Sequence, residues 1–132
     1  MAEHQHDPYD AGMAVRRSVL GDAHVDRAEA RKTAFTKDFQ ALITRFAWGG
    51  VWTRPGLARR ERSIAVLTAL IALGHWEELA MHVRAARTNG LTVEEIGEVI
   101  IQAGVYCGVP AANHAFAVAQ GVLDEMDAAA DE

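Results

Sequence analysis

Residues 69–110 read ALIALGHWEELAMHVRAARTNGLTVEEIGEVIIQAGVYCGVP, and the punctuation of this stretch decides the fold class. An apolar run from Ile64 to Leu73, broken only by Thr68, stops at Gly74, and an amphipathic segment from about Trp76 to Thr88 stops at Asn89-Gly90, a pair suited to a left-handed helix end. Thr92 and Glu95 then stand at capping-box spacing, with Leu91 and Ile96 placed to close a hydrophobic staple over the new helix start. That helix is expected through Val99, Ile100 and Ala103 to a break at Cys107-Gly108. Pro110 falls in the first turn of a last helix reaching about Met126. Each segment has helical spacing and its own stop signal.

The same grammar extends toward the N-terminus. Asp7 before Pro8 is an N-cap with proline at the first helical position, and the segment runs through Met13, Val15 and Val19 to Gly21. The polar stretch Asp22 to Lys32 reads as a connector. A helix from near Thr36 places Phe39, Ile43 and Phe46 on one face before Gly49 and Gly50 end it, with Trp48 and Trp52 flanking the break. Thr53-Arg54-Pro55-Gly56 reads as a tight turn with positive φ at Gly56. From about Leu57 a helix opens on Arg59, Arg60, Glu61 and Arg62 and becomes apolar almost all round, the pattern of a helix buried by its neighbours. No run alternates strictly enough for a half-buried strand. The expected fold is all-α, about six helices around a buried central helix, in a single domain over 1–132 with 1–6 and 128–132 frayed.

The chain has 132 residues and a net charge of -5 from 13 basic and 18 acidic residues, so it offers no general basic field for nucleic acid. Half of it is apolar and 23% is charged, which excludes global disorder. One cysteine, Cys107, excludes an intrachain disulfide framework, a CxxC redox pair and a thiolate zinc cage. The N-terminus shows no basic and apolar leader, and the longest apolar run falls short of the roughly 20 residues that span a bilayer. A cytoplasmic protein without a membrane partner is expected. His4 and His6 read as part of a solvated tail.

Candidate chemistry gathers on the helix from 75 to 88. At 100° per residue Trp76, Leu79, Val83 and Ala86 share the buried face, and His75, Glu78 and His82 line its edge. Glu78 and His82 are an i, i+4 pair, readable as an acid/base couple or as an ordinary surface pair. No HExxH or carboxylate cluster supports a metal, and none is expected. All but two of the 13 basic residues are arginine, the side chain suited to gripping carboxylates in a bidentate way, and Arg54, Arg59, Arg60 and Arg62 cluster around the turn. Cys107 reads as an inert, buried small side chain. On the last helix His114 shares a face with Ala117, Val118 and Gly121, opposite Ala112, Phe116, Ala119 and Leu123, so that face reads as a second packing surface.

Three stretches, VRRSVLGDAHVDRA (15–28), FAWGGVWTRPGLARRERS (46–63) and the block from 69 to 116, together resemble the carboxymuconolactone decarboxylase family. The last block is shared more loosely by the alkylhydroperoxidase D-like superfamily, whose peroxidases carry CxxCxxxH where this chain has His75, Glu78 and His82. Both sulfur positions are replaced here, which removes thiol peroxidase chemistry. The resemblance implies an all-helical subunit assembling as a homotrimer or homohexamer. It implies loss of CO2 from 4-carboxymuconolactone, a lactone dicarboxylate, giving 3-oxoadipate enol-lactone in the β-ketoadipate pathway. Because that substrate carries its own electron sink, no cofactor is expected. In that scheme His82 delivers the proton and Glu78 orients it, with His114 a second acid or oxyanion donor. Arg54, Arg45 and Arg84 clamp the carboxylates, and Trp48 and Trp52 form the apolar wall. A redox protein of the same fold and a non-catalytic, acid-binding helical oligomer are the alternatives.

Overall fold

The computed structural model describes residues 7–131, so His4, His6 and the expected fraying of 1–6 and of Glu132 lie outside the described residues. The chain divides into two compact units between Leu57 and Ala58. Among the described residues seven α-helices and one π-helical turn account for the regular structure, and there is no strand.

In the N-terminal unit, α1 (Pro8–Leu20) starts as its sequence directs, with the Asp7 carboxylate accepting the Tyr9 N–H at 2.9 Å. Gly21, at φ 89°, turns the chain into α2 (Asp22–Ala30). The stretch expected to be a connector is therefore helical. Its only buried residue is Val25, too little to show a period, and its polarity hides good helix formers such as Ala23, Arg27, Ala28 and Ala30. Arg17 of α1 fastens the pair, reaching Asp22 at 3.1 Å and Asp26 at 2.9 Å.

The helix expected from Thr36 is α3 (Lys37–Ile43), which widens into a π-helical turn over Thr44–Trp48, seen in the Gly49 N–H donating to the Thr44 carbonyl five residues back at 2.8 Å. Two glycines let α1 lie against this turn. A Cβ on Gly12 would overlap the Thr44 carbonyl oxygen, and one on Gly49 the Pro8 carbonyl oxygen. The expected apolar face is not a core face, for Phe39 and Phe46 are 61% and 69% exposed. Gly56 is not among the glycines with positive φ, so the turn at 53–56 does not use it in the left-handed way its sequence suggests.

The C-terminal unit consists of α4 (Arg59–Leu73), α5 (Trp76–Thr88), α6 (Val93–Cys107) and α7 (Val109–Ala130). Gly74 ends α4 in the left-handed region at φ 71°. The capping box of α6 is complete: the Glu95 N–H donates to Thr92 Oγ1 at 3.1 Å and the Thr92 N–H to Glu95 Oε1 at 3.0 Å. The other Glu95 oxygen pairs with Arg60, tying the starts of α4 and α6 together. Asn89 donates to the buried Ser63 hydroxyl at 2.8 Å, joining α5's end to α4.

Leu67, Ile71, Leu79, Val83, Leu91, Ile96 and Ile100 form the core of this unit, all at most 1% exposed. Each such burial is worth about 1.5–3 kcal/mol before entropy is counted. Contrary to expectation, α4 is not buried all round. Only Ser63, Leu67 and Ile71 are buried, while Thr68, Ala69, Ala72 and Leu73 face solvent. Helix α7 continues to Ala130 rather than fraying from 127 or 128, and its buried stripe is Ala115, Ala119 and Val122. Against the expected core stripe of Ala112, Phe116, Ala119 and Leu123 it is rotated, and the opposite face with His114, Ala117 and Gly121 is exposed in the single chain.

Candidate active site

His82 departs most from its sequence reading. Placed at the edge of the α5 stripe by its spacing, it is buried at 9% exposure together with Leu79, Val83, Ala85 and Ala86. Glu78, one turn earlier, is exposed, as is His75, which occupies the N-cap of α5. The pair thus spans from the apolar interior to solvent. An imidazole so buried is shielded from bulk water, so that a proton can be directed to one carbon rather than lost. An exposed carboxylate on the same helix can be replaced without disturbing the core.

His114 lies on the exposed side of α7 with its ring stacked on Trp76 of α5, centroids 4.0 Å apart and planes at 19°. Trp76 is itself half-buried against the core, so the stack fixes the orientation of His114 from below. Arg84, expected among the carboxylate clamps, is exposed and donates to Glu125 of α7 at 3.0 Å. Cys107 is half-buried and packs against the core.

The other expected residues belong to the N-terminal unit. Trp48 is buried and Trp52 half-buried, and their rings stack with centroids 5.1 Å apart at 29°. The π-helical turn brings about this pairing, since its wider winding carries Trp48 inward while the chain reverses through Gly49 and Gly50. Arg45 is held locally, its Nε 3.3 Å from Asp7 Oδ1 and its guanidinium 5.4 Å from the centre of the Tyr9 ring. The Tyr9 N–H, then Arg45, hold the Asp7 carboxyl below the usual carboxylate range. Arg45 therefore pins the π-helical turn to the start of α1. Arg54 is exposed, on the turn that follows Trp52.

Arg16 was missed by spacing alone. It is 7% exposed on the buried side of α1 between Val15 and Val19. The signal was present, because an arginine at position i+1 of a Val-x-x-x-Val pair shares the apolar face. Among the described residues no three of His, Cys, Asp or Glu converge to hold a metal ion, and no helix is long and apolar enough to cross a membrane.

A small helical unit with a buried histidine and no sulfur pair is what the fold defines. The chain belongs to the carboxymuconolactone decarboxylase family, whose model matches residues 37–121. It is 44% identical to a 4-carboxymuconolactone decarboxylase of Acinetobacter baylyi over 94% of this chain and 92% of that one. It is also 44% identical to the nitrosuccinic acid decarboxylase npaB of Metarhizium robertsii, over 89% of this chain and 82% of the fungal one. A 4-carboxymuconolactone decarboxylase sequence of Pseudomonas putida is 61% identical across 31% of this chain and 85% of its own length.

Proposed function

We propose that the protein is a carboxy-lyase that converts 4-carboxymuconolactone to 3-oxoadipate enol-lactone and CO2 in the protocatechuate branch of the β-ketoadipate pathway. The observation that carries this is the 44% identity, over nearly the whole of both chains, with a decarboxylase of that name. In the reaction the bond between the ring carbon and the carboxylate breaks. Its electron pair moves through the ring double bond onto the lactone carbonyl oxygen, and a proton then adds to ring carbon. The substrate is its own electron sink, so no cofactor is needed. His82 is assigned the proton, supported by its burial, and Glu78 is assigned the role of orienting the imidazole from one turn earlier. Arg54 takes a substrate carboxylate. Arg45 and Arg84, which pair with Asp7 and Glu125, are the less sure members of that grip. His114 remains a second donor, and the Trp48–Trp52 stack an apolar wall.

A second substrate reading has a specific support, the equal identity with a nitrosuccinic acid decarboxylase. Loss of CO2 beside a nitro group also leaves the electron pair on oxygen, so the same catalytic needs apply. Incubation with each acid, following CO2 release and product absorbance, separates the two. Turnover of the lactone at a kcat/KM at least 100-fold above that of nitrosuccinate is expected, the reverse order overturns the substrate assignment, and no turnover of either overturns the enzyme.

Self-association as a trimer or hexamer belongs to the same proposal, in a cytoplasmic setting. Ile101, Val105, Val109 and Phe116, at 42–78% exposure, line an open apolar groove of about 440 Å³ between α6 and α7. An apolar groove of this kind is a surface that a second copy of the chain can cover. Sedimentation at micromolar concentration as a 14.3 kDa species would rule the association out.

A further inference from the structure

Helix α2 ends in an excess of positive charge that the helices around it do not balance. Arg16, Arg27 and Arg31 all act on the His24 imidazole, and Lys32 follows directly in sequence. The carboxylates of α2 are three. Asp22 and Asp26 are both taken by Arg17. Glu29 is left to serve Lys32 at 2.7 Å and Arg16 at 3.9 Å. Four cations thus face one available carboxylate. Burial first, and then the charges of Arg27, Arg16 and Arg31, hold the His24 imidazole below the usual histidine range.

A cavity of about 240 Å³ opens beside this group, lined by Ala28, Arg31, Lys32, Thr36 and Gln40. Gln40 connects it to the buried charge, because its Oε1 accepts from Arg16 Nη2 at 3.4 Å. With the carbonyl end of the amide committed to Arg16, its N–H2 end is left to donate elsewhere. Arg16 itself is under-satisfied: its Nε and Nη1 are buried and donate to no acceptor among the described residues. A guanidinium so buried is costly unless negative charge lies near it, and Glu29, at 3.9 Å and shared with Lys32, supplies only part of that.

We infer that this cavity of the N-terminal unit is a binding site for a small carboxylate anion, received by the Gln40 amide, Arg31 and Lys32, with the Arg16 charge behind Gln40. The cavity's donors, an amide, a guanidinium and an ammonium, can all point at oxygen, and none of them needs a metal. The C-terminal carbonyls of α2 oppose an anion here, but Arg31 Nε already donates to the Arg27 carbonyl at 3.3 Å, which blunts that repulsion. The site does not depend on the decarboxylation reading and would exist in a protein with no such activity.

The test is a titration of the full chain with sodium succinate at constant ionic strength, following the side-chain N–H signals of Gln40 and the arginines by NMR, with sodium chloride and inorganic phosphate as parallel titrants. Saturable shifts of the Gln40 amide with a Kd below about 10 mM for succinate, at least fivefold tighter than phosphate, are expected. Gln40→Leu should weaken succinate at least tenfold and Arg31→Gln threefold or more, with helical circular dichroism unchanged. Should Gln40→Leu fail to fold, the wild-type shifts and the exposed Arg31→Gln still decide. Linear shifts matching those of chloride, or equal affinity for succinate in wild type and Arg31→Gln, would overturn the site. Tighter binding of phosphate would overturn its assignment to carboxylates.

Discussion

Replacing His82 by alanine separates catalysis from packing, because the structure gives it a role in both. At 9% exposure, the imidazole fills buried volume, and its removal should cost about 2–4 kcal/mol of stability. For a domain of this size that lowers the thermal midpoint by roughly 6–15 °C and leaves the protein folded at 20 °C if its stability is ordinary. Loss of a positioned proton donor is a separate effect of about 10²- to 10⁴-fold in kcat, or roughly 2.7–5.5 kcal/mol in the barrier. The assay is kcat on 4-carboxymuconolactone at saturation and 20 °C, beside a thermal melt of the same sample. His82→Gln controls for packing: it keeps most of the volume and should recover most of the stability but little of the rate. Added imidazole should restore part of the lost kcat in His82→Ala, which a purely structural role would not allow. A folded His82→Ala enzyme with kcat within threefold of wild type would refute the assignment.

Three further outcomes follow from named contacts. Glu78→Gln should lower kcat about tenfold or more with an unchanged melt, since Glu78 is exposed, whereas Cys107→Ser should keep turnover within a few-fold because no step needs sulfur; the opposite ranking points to a thiol mechanism. Gly12→Ala should destabilise the protein by about 3 kcal/mol or more despite alanine's advantage of about 1 kcal/mol in helix propensity, because the new Cβ meets the Thr44 carbonyl oxygen and lies 2.8 Å from the Gly49 nitrogen; a melt unchanged within 2 °C would show that α1 can move off the turn. His24, with its folded pKa depressed, binds fewer protons folded than unfolded, so its contribution is intact above the unfolded value near 6.5 and is lost as pH falls through the folded one; urea midpoints from pH 7.5 to 5 should fall less steeply in His24→Asn than in wild type.

What the amino-acid sequence determined by itself was whatever depends on neighbours along the chain. The Asp7 cap, the Gly74 and Asn89-Gly90 stops, the Thr92–Glu95 box and the Cys107-Gly108 break all stand where local hydrogen bonding and backbone sterics put them, because each is complete within four or five residues. Helix α2 escaped notice since its single buried contact, Val25, is made to other segments and leaves no period to read. Side-chain environments were decided by tertiary structure alone. A helical wheel puts His82 at the edge of the apolar stripe of α5, but the width of that stripe depends on how α4 and α7 pack against the helix, and in the folded unit it extends over His82. The same cause reversed α4, whose buried residues form a single stripe, and rotated the buried face of α7 from Ala112 and Phe116 toward Ala115 and Val122. It also placed Arg16 inside the N-terminal unit and Phe39 outside its core: burial is a property of the whole packed chain, and periodicity along one helix can rank its faces but cannot say how far a neighbour will cover them.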